Sequence, residues 1–109
     1  MGLSLVVTVA AVAIVVQEAP AQTQAPKLSP AATQGKILFK STGCGKCHTL
    51  AAASSTGTIG PNLDKLKLSL ATIAHQISAG GGFMPSFGTR LSKTKINNIA
   101  AFVYASTHP

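Results

Sequence analysis

The sequence predicts an all-α domain of three main helices joined by loops. Three observations carry that reading. Ser29, Ser69 and Ser92 each stand just ahead of a stretch whose apolar residues recur at helical spacing. The chain is rich in Ala and Leu and shows no βαβ pattern. Its only two cysteines fall together in Cys44-Gly45-Lys46-Cys47-His48, a short stretch around which the loops are organised.

Cys-x-x-Cys-His is the attachment spacing for c-type haem. Two thiols on one turn of chain can add to the two vinyl groups on one porphyrin edge. His48, directly after, then falls below the ring and offers a nitrogen to the iron. Gly45 allows the tight turn, and Lys46 can point to water. Two other chemistries use similar residues. A zinc half-site needs a second Cys or His pair at similar spacing, and the chain has none. A dithiol redox motif belongs near a βαβ pattern. The motif therefore predicts one covalently attached haem c with its iron.

At 109 residues there is room for one small domain, whose core alone is marginal. A covalently held haem would act as a staple by adding a large apolar disc. Nine Lys and Arg face only Glu18 and Asp64, a net charge of +7, which suggests an acidic partner or surface. Nucleic acid is disfavoured, because the lysines are dispersed and few aromatics lie between them.

Leu3 to Val16 is an apolar run broken only by Ser4 and Thr8. It is short for a bilayer span and matches the hydrophobic region of a secretory signal. Ala19-Pro20-Ala21 supplies a small-residue cleavage pattern, although no Lys or Arg precedes the run. Residues 1–21 are thus a signal peptide or a short membrane anchor, and residues 22–28 a flexible linker. Residues 29–109 are the domain. Both readings of the first segment place that domain outside the cytoplasm, in the periplasm or on the outer face of the cytoplasmic membrane. Membrane association through residues 3–16 belongs to the anchor reading.

Within the domain, Ser29 caps the first helix and Pro30 takes its first position. Ala31, Gly35, Leu38, Phe39 and Thr42 share one face. Gly35 in mid-helix costs about 1 kcal/mol against Ala, so a close helix crossing is expected there. Gly43 ends the helix. Residues 49–63, rich in Ala, Ser, Thr and Gly, read as loop. Pro61 within them is either an ordinary turn residue or a carbonyl acceptor for the second ring N–H of a metal-bound histidine.

Ser69 caps the second helix, whose stripe is Leu70, Ile73, Ala74 and Ile77, with Leu68 and Ile73 as a staple. Gly80 stops it. His75 points away from this stripe and is expected to be solvated rather than a ligand. The loop Gly80 to Gly88 holds Met84, the only methionine besides Met1. A thioether partnering a histidine is the axial pair of electron-transfer haem proteins, so Met84 is the expected second iron ligand. Ser92 caps the last helix, with Ile96, Ile99, Ala100, Phe102 and Val103 facing inward. His108 is expected to lie beyond its last packed turn. Lys93 and Lys95 occupy the first turn, where the helix dipole disfavours cations by about 0.3–1 kcal/mol each.

With these residues the chain resembles the class I cytochrome c family, in particular its small single-haem bacterial and algal members. The likeness spans about residues 29–107. It rests on Gly35 to Phe39, Cys44 to His48, Gly60-Pro61-Asn62-Leu63, and Gly80 to Phe87. The resemblance implies a small cytochrome c fold, with three main helices and loops wrapped around one covalent haem. It implies thioethers at Cys44 and Cys47, iron held by His48 and Met84, and Pro61 accepting from His48. Gly35 and Phe39 would pack against Ile99 and Phe102. The chain departs from the family in the first turn of the last helix, where related chains often carry acidic residues.

The implied function is a single-electron carrier rather than an enzyme, working with redox protein partners that are acidic at the docking face. Two alternatives stay open. One is a haem c module fixed to a larger respiratory complex. The other is a ligand-binding or enzymatic haem protein, which would require a displaceable Met84.

Overall fold

The computed structural model describes residues 1–17 and 27–109. Three helices frame the folded domain: α1 (Pro30–Thr42), α2 (Leu70–Ala79) and α3 (Lys93–Thr107). Each starts as the sequence predicts. The Ser29, Ser69 and Ser92 hydroxyls accept from the backbone N–H groups of Ala32, Thr72 and Lys95 at 3.1, 3.1 and 3.2 Å. Gly43 (φ 87°) and Gly80 (φ 64°) end α1 and α2 in backbone conformations that favour glycine.

The core is built where α1 crosses α3. A Cβ on Gly35 would stand 1.8 Å from the Asn98 carbonyl oxygen, so only glycine permits this approach. One turn on, the rings of Phe39 and Phe102 meet edge to face with centroids 5.7 Å apart. Ile99 is buried in the same cluster. The buried face of α1 is Ala32, Gly35 and Phe39, and Ala31 is exposed. The close approach at Gly35 rotates the contact line toward Phe39, which brings in Ala32 on that side and turns Ala31 to the flank.

On α2, Ile73 and Ile77 are buried and Ala74 is half-buried, but Leu70 is 47 % exposed. Leu70 opens the helix one turn ahead of the packed stretch. The last turn of α3 is better anchored than expected. Thr107 is buried, and the His108 N–H donates to the Tyr104 carbonyl at 3.0 Å. The His108 ring stacks on Tyr104 with centroids 4.1 Å apart. Lys67 Nζ reaches across to the Thr107 carbonyl and ties the segment before α2 to this helix end.

Residues 49–63 hold more structure than a loop. Strands β1 (Thr49–Leu50) and β2 (Ser55–Thr56) pair antiparallel, with Leu50 opposite Ser55. Leu50 is fully buried. Ser54, at φ 52°, makes the turn, and Asp64 Oδ2 accepts from the Ala51 N–H at 2.9 Å. Side-chain bonds to backbone do the ordering here, and composition alone does not register them.

Residues 1–17 carry no helix or strand, and large apolar side chains such as Leu3 and Val12 are exposed. Among the described residues no helix is long and apolar enough to cross a membrane. The Ala19-Pro20-Ala21 pattern and most of the linker lie outside the described residues.

Candidate haem site

A cavity of about 610 Å³ opens among the end of α1, the inner faces of α2 and α3, and two loops. Phe39, Leu68, Ile73, Ile77, Ile99 and Val103 give it an apolar wall. Cys44, Cys47, His48, Pro61 and Met84 all line it. Residues far apart in the sequence are therefore brought to one space.

The Cys44–His48 segment is shaped by its own backbone. After Gly43, Cys44–Lys46 form a 3-10 turn, and the N–H groups of Cys47 and His48 both donate to the Cys44 carbonyl at 3.2 and 3.0 Å. This folding presents both cysteines to the cavity. They are free thiols, half-buried. Burial pushes the Cys44 thiol up from its ordinary value against a backbone hydrogen bond that lowers it, and neighbouring Cys47 adds to the rise.

His48 is fixed by the next loop. Its Nδ1 lies 2.7 Å from the Pro61 carbonyl oxygen. A carbonyl can only accept, so Nδ1 carries the proton and Nε2 keeps a free lone pair. Gly60 makes the approach possible, because a Cβ there would stand 2.6 Å from His48 Cε1. The Gly60 N–H in turn donates to the Cys47 carbonyl at 2.7 Å. The Pro61 carbonyl is thus the hydrogen-bond partner of the His48 ring.

Met84 reaches the cavity from a tight loop after α2. Gly81 and Met84 exchange backbone hydrogen bonds of 3.0 and 2.9 Å, and Gly80, Gly81 and Gly82 all have positive φ. The chain is then returned to α2, where the Phe87 and Gly88 N–H groups donate to the Ile77 and Ser78 carbonyls at 3.1 Å each. Ser86 Oγ also donates to the Ser78 carbonyl at 2.7 Å.

The other histidines lie elsewhere. His75 is exposed and borders a smaller cavity of about 330 Å³ between α2 and α3, together with Lys93. His108 is occupied with Tyr104. Of the basic residues, Lys46 and Arg90 line the large cavity, and Lys95 lines neither. Arg90 lies over the Phe87 ring, 5.9 Å from its centroid.

Two lining residues were not legible as functional in the sequence: Arg90 and Gln76. The Gln76 Nε2 lies 3.1 Å from the Gly80 carbonyl oxygen and 3.7 Å from Met84 Sδ. No local spacing marks it, because Gly80 and Met84 lie beyond the end of α2.

Among the described residues no group of three or more His, Cys, Asp or Glu side chains is arranged to hold a metal ion. The site suits a metal that arrives with its own equatorial ligands and needs only axial donors. A nitrogen donor of fixed tautomer, a thioether, two free thiols and an apolar space fit haem c.

Residues 30–103 match the family described as Cytochrome C oxidase, cbb3-type, subunit III, a cytochrome c domain. The chain belongs to the class I cytochrome c family. Covalently bound haem c, with its iron, comes with that membership, as does a role in electron transport. Among solved structures, this cytochrome is similar to the c-type cytochrome SorU from Sinorhizobium meliloti. The TM-score is 0.66 at 31% identity, over 71% of this chain and 91% of that one. No curated protein matches the sequence.

Proposed function

We propose that this cytochrome carries single electrons on one haem c, attached through thioethers at Cys44 and Cys47, with His48 and Met84 as axial ligands. The observation that carries the reading is the convergence of both thiols, His48 and Met84 on one apolar cavity. When bound, haem c supplies an iron that alternates between Fe(II) and Fe(III). The chain's work is positional. The Pro61 carbonyl holds the His48 ring and its Nδ1 proton, keeping Nε2 free for the iron. The bonds from Ser86, Phe87 and Gly88 to α2 hold the methionine loop in place. The apolar wall excludes water, which limits rearrangement on electron transfer, and a thioether ligand raises the potential. No substrate bond is made or broken.

Domain limits of 29–109, export to the extracytoplasmic side and partners with acidic docking faces belong to the same proposal. A second reading is supported by the matched family's description, which names an oxidase subunit. In it the domain is a module fixed to a larger respiratory complex, with residues 3–16 holding it at the membrane.

Absorption spectra of matured protein in both redox states, followed by acid–acetone extraction, test the site. The colour is expected to stay with the protein, and the reduced spectrum to report one haem with two axial ligands. Colour that extracts fully from correctly matured protein would overturn the attachment. Intact mass from the native host separates a chain cleaved near Ala21 from one that retains residues 3–16.

A further inference from the structure

We infer that Gln76 is a positioning residue for the Met84 thioether: its amide gives one N–H to the Gly80 carbonyl and the other to Met84 Sδ. The inference rests on Met84 being an iron ligand. Its geometric basis is the pair of separations from Nε2, 3.1 Å to the Gly80 oxygen and 3.7 Å to the sulfur, a hydrogen-bonding separation for so large an atom. Turning the amide over would bring its oxygen against the Gly80 carbonyl, two acceptors face to face, so the NH2 group belongs on this side. One NH2 has two hydrogens, one for each partner.

The two partners bracket the loop. Gly80, at φ 64°, is where the chain leaves α2, and Met84 is where it reaches the cavity. Gln76 sits one turn before the end of α2, so a helix side chain spans the hairpin and fixes the sulfur against rigid backbone. A thioether has two lone pairs. An N–H on one leaves the other as the single direction available for a metal. The same N–H dipole places positive charge near the sulfur, which weakens its donation and disfavours Fe(III) more than Fe(II). Gln76 therefore orients the ligand and raises the potential.

The test uses the matured, haem-loaded protein and three measurements: the reduction potential, the sulfur-to-iron charge-transfer band of the ferric form, and carbon monoxide binding to the ferrous form. Gln76→Leu removes both donors, and Gln76→Glu keeps the length with a carboxylate that has no N–H to give. Both should shift the equilibrium toward Fe(III), the Leu variant by roughly two- to fivefold, or about 20–40 mV. Both should also alter the ferric band and speed carbon monoxide entry. His75→Leu, one residue away and outside the large cavity, should change none of these. A purely structural Gln76 would lower the unfolding temperature and leave the potential alone. The positioning role is overturned when both Gln76 variants keep the wild-type potential and band. Met84→Ala is measured beside them. Should it leave the band intact, the methionine ligation itself fails. Should it abolish the band while the Gln76 variants change nothing, only the role of Gln76 falls.

Discussion

At the crossing of α1 and α3, backbone meets backbone at Gly35, and Phe39 and Phe102 close the gap beside it. The loops around the cavity hold together differently. There the ordering contacts are individual hydrogen bonds, His48 to Pro61, Gly60 to Cys47 and Gly81 to Met84, and much of the surface stays open. Phe83, next to Met84, is 95 % exposed. The crossing buries apolar surface and needs nothing further. The loops border an apolar cavity lined from several elements, so their stability is tied to the haem that this family carries.

The largest expected effect comes from removing the attachment. Replacing both Cys44 and Cys47 by Ala should leave any colour fully extractable in acid–acetone. Hydrogen exchange should then quicken in the Gly80–Gly88 loop and around Pro61 while the α1–α3 crossing keeps its protection. Exchange that quickens equally in both regions would break the comparison.

Next is Gly35→Ala. A methyl group 1.8 Å from the Asn98 oxygen cannot be housed without moving α1 off α3. Overpacking of this kind costs about 1–3 kcal/mol or more, which outweighs the helix-propensity gain of about 1 kcal/mol. Unfolding of the haem-loaded protein should show it, with little change in reduction potential. A stability equal to wild type would mean the crossing is looser than its geometry.

Met84→Ala acts on the other region. It should lower the potential and open the ferrous iron to carbon monoxide, while the spectra of His75→Ala stay those of wild type. On the proposed ligation the change also removes the contact that ties the Gly80–Gly88 loop to the haem, so hydrogen exchange should quicken in that loop while the α1–α3 crossing keeps its protection.

The same contrast explains what the sequence could and could not reveal. The helix caps at Ser29, Ser69 and Ser92 and the inward residues of α3 follow from local periodicity, because each depends on neighbours three or four positions away. The tight use of Gly35 was visible as a propensity cost that needed a reason. Cys44, Cys47 and His48 were visible because Cys-x-x-Cys-His is a spacing that stands out in the sequence alone. What escaped depends on distant partners. Ala32 replaces Ala31 because α3 approaches from one side. Leu50 is buried because a hairpin forms in a segment whose composition reads as loop. His108 is the exception, for it stacks on Tyr104 only four positions back, a local pairing at the helix end. Gln76 meets Met84 only because the hairpin after α2 folds the sulfur back toward the helix.

The smallest effect expected concerns charge. Lys46, Lys93 and Lys95 could serve one docking face only if the fold gathered them, and it divides them. Lys46 lines the large cavity with Arg90, while Lys93 borders the smaller one beside His75. Exposed charges are screened within about 8 Å at physiological salt, so only those near the docking face steer encounter strongly. Electron transfer with an acidic partner should slow as ionic strength rises, where encounter limits the rate. Exchanging Lys46 and Arg90 for Gln should flatten that dependence with little change in potential. The Arg90 change also removes its contact over Phe87, so Lys46→Gln alone is the cleaner variant. Exchanging Lys93 and Lys95 should leave the slope nearly as in wild type. Equal flattening by both pairs would mean that net charge, rather than the mouth of the cavity, guides the partner. A rate indifferent to salt throughout would remove electrostatic docking altogether.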